Sequence, residues 1–85
     1  MNLMDKISVT IRVPALDNKY DFMIPDNMDV NDVKSLVARI LESEYGVNGK
    51  INDLMLFDLS DGKVLREDCN FKQLEIYDGT ELLLM

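Results

Sequence analysis

Cys69 is the strongest nucleophile in this sequence, and no histidine exists anywhere in the chain to activate it. A single cysteine cannot form an internal disulfide, so it reads as a semi-buried filler in a reducing compartment. The sixteen carboxylates invite acid–base chemistry. However, Asp53, Asp58 and Asp61 fall in predicted loops and Glu42 and Glu44 at outward helix positions, which is the pattern of a solvated acidic surface. The stretch DLSDG, Asp58 to Gly62, lacks the spaced ligands and terminal glutamate of a calcium loop and reads as a turn. No P-loop, GxSxG or cysteine cluster is present. The sequence therefore predicts no catalytic residue, no metal ligand set and no cofactor, and it places function in surface recognition.

Charge narrows the partners. The formal net charge is −7, and the nine basic residues are scattered, so nucleic acid is expected to be repelled and a basic protein partner favoured. Nothing approaches the roughly 18 consecutive apolar residues of a membrane span, so direct membrane insertion is not expected. The opening MNLMDKIS has neither a basic run before an apolar core nor a small-residue cleavage site, which predicts a cytoplasmic protein. Eighty-five residues suffice for one core, hence one domain spanning residues 1–85.

The element that must position any surface is a helix over Asp29 to Gly46. Val30, Val33, Val37, Ile40 and Leu41 recur at steps of three and four and form an apolar stripe, widened by Leu36 and Ala38. Asp29 is placed to cap the first turn with its carboxylate, while Asp26 and Asp32 lie at the positive end of the dipole. Gly46 can take the left-handed conformation that closes a helix.

Alternation defines the strands. Ile7, Val9, Ile11 and Val13 share one face of a strand from Lys6 to Val13 that ends at Pro14. After a turn at Asp17 and Asn18, Tyr20, Phe22 and Ile24 alternate with Asp21 and Met23 up to Pro25, which predicts a hairpin. Val47 to Asp53 reads as a polar loop. A third strand over Leu54 to Leu59 is expected with Leu54 and Leu56 inward and Met55 outward. Ser60 to Gly62 turns into a short return strand, Lys63 to Leu65. Asn70 to Leu74 reads as a helical turn carrying Phe71 and Leu74. Asp78 and Gly79 turn into a final, central strand, Thr80 to Met85.

Four to five strands around one main helix make an α+β domain with a mixed sheet. With the last strand parallel to the first and the helix in a right-handed crossover, this is the β-grasp arrangement. From about Lys6 to Met85 the chain resembles ubiquitin-like proteins. The features carrying the resemblance are the Val33-Lys34 pair in the helix and the segment NFKQLEIYDGTELLLM, with its placing of Phe71, Leu74, Ile76, Leu82 and Leu84. In size, in its opening strand and in the ending DGTELLLM it is most similar to the YukD/EsaB-type proteins of bacterial type VII secretion. Plant-type ferredoxins, another β-grasp group, need four cysteine ligands, and this chain has one.

The resemblance implies a function and a place for it. Ubiquitin-like domains are commonly recognised through an apolar patch on the outer face of the third and last strands beside the first turn. The matching positions are Leu16, Met55, Leu83 and Met85. Conjugated modifiers and sulfur carriers resemble one another in a flexible Gly-Gly tail, whereas this sequence stops at Met85 inside the predicted last strand. The expectation is a non-catalytic, non-conjugated interaction module, accessory to type VII secretion. It would bind a membrane component of the machinery at the inner face of the membrane. The alternative is a modifier or sulfur carrier working with an activating enzyme.

Overall fold

The computed structural model describes residues 5–46 and 53–85. The chain runs β1 (Lys6–Val13), a 3₁₀ turn (Pro14–Leu16), β2 (Asn18–Pro25), α1 (Val30–Tyr45), β3 (Leu56–Asp58) and β4 (Thr80–Leu84). The strands form one mixed sheet in the order β2-β1-β4-β3, with β1 and β4 parallel and the other pairs antiparallel. This is the expected α+β β-grasp architecture, with the last strand central.

The alternation in β1 and β2 places the core as expected. Val9, Ile11, Val13 and Ile24 are buried, with Ile7, Tyr20 and Phe22 packed partly against them. Leu82 and Leu84 of β4 and Leu56 of β3 complete the sheet's inner face. From α1, Val30, Val33, Val37, Ala38 and Leu41 enter the same cluster. Ile40 differs from the stripe assigned to it and is only half-buried. At about 100° per residue it lies roughly 80° from the stripe's centre, beside an open groove shared with Tyr20 and Phe22.

The same geometry explains Lys34. It sits between Val30 and Val33 before it and Val37 and Ala38 after it, within the stripe, and is only 6% exposed. Its ammonium is paired with the Glu67 carboxylate, and no buried side-chain nitrogen or oxygen among the described residues lacks a hydrogen-bond partner.

Asp29 occupies the N-cap position, but its carboxylate makes no capping bond. Two of the free N–H groups at the helix start are taken by a distant segment: Val30 N–H donates to the Cys69 carbonyl (2.8 Å) and Asn31 N–H to the Glu67 carbonyl (3.1 Å). The helix start is thus anchored to residues 67–69 by backbone bonds and by the Lys34–Glu67 pair. Gly46 closes the helix as expected, with φ 67° and its N–H on the Glu42 carbonyl.

The third strand is shorter than Leu54 to Leu59, and the predicted return strand reduces to one bridge, Phe57 to Val64. Asp58 N–H to the Lys63 carbonyl and Leu65 N–H to the Leu56 carbonyl flank that bridge and cover the outer edge of β3. Most of the predicted loop Val47 to Asp53 lies outside the described residues. The Asn70 to Leu74 segment is a turn held by a reciprocal pair. Asn70 N–H donates to Gln73 Oε1 (2.9 Å) and Gln73 N–H to Asn70 Oδ1 (2.8 Å), with Phe71 fully buried beneath.

Glu75 adopts φ 57°, a left-handed conformation unfavourable for a residue with a Cβ. Its side chain is exposed, so nothing in the packing demands it. Glu75→Gly is expected to stabilise the domain by up to about 1 kcal/mol, read as a raised urea midpoint at unchanged slope.

Candidate protein-docking surface

The sheet has two faces. The inner one carries the core beneath α1. The outer one is set by the opposite parity, and strand register arranges its side chains in rows. Leu83 of β4 faces Phe57 of β3 on one side and Arg12 of β1 on the other, and Arg12 faces Lys19 of β2. One row therefore crosses all four strands, apolar at one end and cationic at the other.

Next to this row, Met55 and Met85 extend the ladder beyond the strand ends. Met55 N–H donates to the Met85 carbonyl (3.1 Å) and Met85 N–H to the Met55 carbonyl (3.0 Å). The two side chains stay open to solvent, at 45% and 59% exposure. Phe57 and Leu83 are half-buried, and Val64, bridged to Phe57, is 44% exposed. The result is one apolar patch built from Met55, Phe57, Val64, Leu83 and Met85.

Three of the four positions named from sequence, Met55, Leu83 and Met85, are brought together here. Leu16 is not an open member of the group: it ends the 3₁₀ turn after β1, half-buried against the core. Phe57 and Val64 were not singled out. For Phe57 the signal was available, because a strand with Leu56 inward places residues 55 and 57 on the same outer face. The uninterrupted apolar run Leu54 to Phe57 hid that parity.

Little on this surface can do covalent chemistry. Cys69 is half-buried, with its Sγ 3.7 Å from Asp68 Oδ1, and is not one of the residues that build the patch. The Arg66 guanidinium holds the Asp68 carboxyl below the usual carboxylate range by hydrogen bonding and charge, and Asp68 in turn raises Arg66. Both side chains are largely exposed, so the pair is a surface feature. Among the described residues, no group of three or more His, Cys, Asp or Glu side chains is arranged to hold a metal ion. No helix of the described residues is long and apolar enough to cross a membrane.

No protein-family model and no curated protein matches the chain. Solved structures do. The N-terminal ubiquitin-like domain of the 4931431F19Rik protein superposes with TM-score 0.75 at 22% identity, over 100% of this chain and 78% of that one. The EccD5 ubiquitin-like domain from Mycobacterium xenopi gives TM-score 0.75 at 21% identity, over 94% and 92%. The ubiquitin-like domain of the Arabidopsis thaliana protein At2g32350 gives 0.73 at 17%, over 100% and 81%. One helix on a mixed sheet ordered β2-β1-β4-β3, superposing on these ubiquitin-like domains with TM-scores of 0.73 to 0.75, establishes that the chain has the ubiquitin-like β-grasp fold.

Proposed function

We propose that this chain is a non-catalytic, non-conjugated ubiquitin-like interaction module, and that it serves as an accessory or regulatory component of a bacterial type VII secretion system. The observation that carries the interaction role is the patch of Met55, Phe57, Val64, Leu83 and Met85 on a small domain with a complete separate core. Apolar side chains that the fold does not bury, grouped on a rigid sheet, are suited to covering by a partner. Methionines at two corners can repack against surfaces of differing shape.

The secretion role is supported by the resemblance to YukD/EsaB-type proteins, and the likeness to the EccD5 ubiquitin-like domain from Mycobacterium xenopi is consistent with a bacterial setting. In this reading the partner is a membrane component of the machinery, and the chain works in the cytoplasm, peripheral to the inner face of the membrane. Cytoplasmic loops of membrane proteins are rich in Lys and Arg, and a chain of net charge −7 is suited to approach them.

An N-terminally tagged chain recovered from its native cell, with membrane and soluble fractions analysed separately, tests this. The expected result is a multi-spanning membrane protein or secretion ATPase in the membrane fraction, lost on denaturation. Met55→Glu combined with Val64→Glu, at two exposed patch positions that do not face each other, is expected to abolish that recovery while the purified variant retains its far-UV spectrum. Adducts that survive denaturation and map to the C-terminal residue would overturn the reading in favour of a modifier or sulfur carrier.

A further inference from the structure

We infer that the segment seated on the apolar patch is acidic and amphipathic, with carboxylates meeting Arg12 and Lys19. This rests on the docking surface proposed above and specifies the chemistry of its occupant. Although the chain as a whole is strongly negative, the strands' outer face carries Lys6, Arg12 and Lys19 against only Asp21 and Glu81. The negative excess therefore lies off the strands' outer face, where it can approach the basic loops of the proposed partner while this row meets carboxylates of the same partner.

Backbone bonding fixes how the two central cations relate. Asp26 N–H donates to the Asp5 carbonyl (2.8 Å), whereas the Ser8 carbonyl accepts from Gly79 (2.7 Å) and Ser8 N–H donates to Asp78 Oδ1 (2.7 Å). Odd-numbered residues of β1 therefore turn their amides toward β2 and even-numbered ones toward β4. Arg12 and Lys19 are consequently a non-hydrogen-bonded antiparallel pair, the kind whose side chains lie closest. Like charges in that position destabilise a sheet unless something of opposite sign is shared between them.

The fold itself supplies little. Asp21 is engaged by the Thr10 hydroxyl (2.6 Å). Glu81 reaches Arg12 only at 3.8 Å, with both side chains about half exposed, a weak pairing. Asp17 lines the same shallow hollow, yet among the described residues no ion pair joins it to either cation, and Lys19 has none at all. Because Arg12 also faces Leu83, this only weakly neutralised pair borders the apolar patch directly. A ligand covering Phe57 and Leu83 and extending along the row meets two positive charges.

The test uses the full chain, isotopically labelled, titrated with three synthetic amphipathic peptides. They share a leucine-bearing face and differ only in carrying Glu, Gln or Lys along its flank. The Glu peptide is expected to bind tightest, shifting amide resonances at Phe57, Leu83 and Lys19. Lys19→Glu is expected to weaken it about fivefold and to flatten its salt dependence, while thermal stability is unchanged or raised because the like-charged pair is gone. If the Lys peptide binds equally well or better at Phe57 and Leu83, the charge inference is overturned and the docking surface stands. If no peptide shifts Phe57 or Leu83, both are overturned.

Discussion

Phe71→Ala is expected to cost about 3–5 kcal/mol and to lower the urea midpoint of the domain sharply. Phe71 is the largest fully buried side chain, and it lies beneath the turn whose ends are tied by Asn70 and Gln73. Its removal leaves a cavity under a segment that also holds the helix start, since Asp29 bridges to Asn70 and the Lys72 N–H donates to the Asp26 carbonyl. An 85-residue chain has a total stability on the order of 4–13 kcal/mol, so a loss of this size removes a large share of it. Urea denaturation followed by far-UV circular dichroism measures it. A midpoint within error of the parent would show that Phe71 does not organise this side of the core.

The second large effect is asymmetric. Lys34 and Glu67 form one ion pair, but the lysine side chain is 8% exposed and the glutamate 49%. Glu67→Ala leaves an ammonium on the apolar stripe of α1 with no counter-charge and is expected to cost about 2–3 kcal/mol. Lys34→Met leaves a carboxylate that water can reach and an apolar side chain of fitting length within the stripe, so the change is expected to stay within about 1 kcal/mol. Combining Lys34→Met with Glu67→Ala is expected to recover most of the Glu67→Ala loss, and equilibrium unfolding of the four proteins closes the cycle. Additive losses would mean that the pair contributes nothing beyond its separate side chains.

The contrast between these residues shows what a sequence of this kind makes legible. Strict alternation in β1 and the 3.6-residue stripe of α1 are local patterns, and they place Val9, Ile11, Val33 and Leu41 correctly because each pattern has one consistent burial solution. The central position of β4 follows similarly from its apolar run. The capping of α1 was not legible. Asp29 is a good capping residue by type, but the carbonyls that replace it come from Glu67 and Cys69, about 40 residues away. Nothing local announces such a partner. The burial of Lys34 was encoded in its spacing from Val30, Val37 and Ala38, although a charged residue is ordinarily read as solvated.

The docking surface divides along the same line. Met55, Leu83 and Met85 were accessible from strand parity and the resemblance, and they converge because β3 and β4 pair antiparallel with Met55 opposite Met85. Phe57 was hidden by continuous apolarity in the run that precedes it. Val64 was hidden because a single bridge replaced the expected strand. The cationic half of the row depends on pairings between β1, β2 and β4, and these exist only once the sheet is assembled.

The central claim is that this domain acts by seating a partner on the outer face of its sheet. A photo-crosslinking amino acid introduced in the native cell at Phe57, at Val64 and, for comparison, at Ser35 on the exposed side of α1 tests it most directly. Illumination is expected to yield the same discrete protein adduct from positions 57 and 64 and none from position 35. An adduct formed at Ser35 alone, with positions 57 and 64 silent, would contradict the account and move the working surface to the helix.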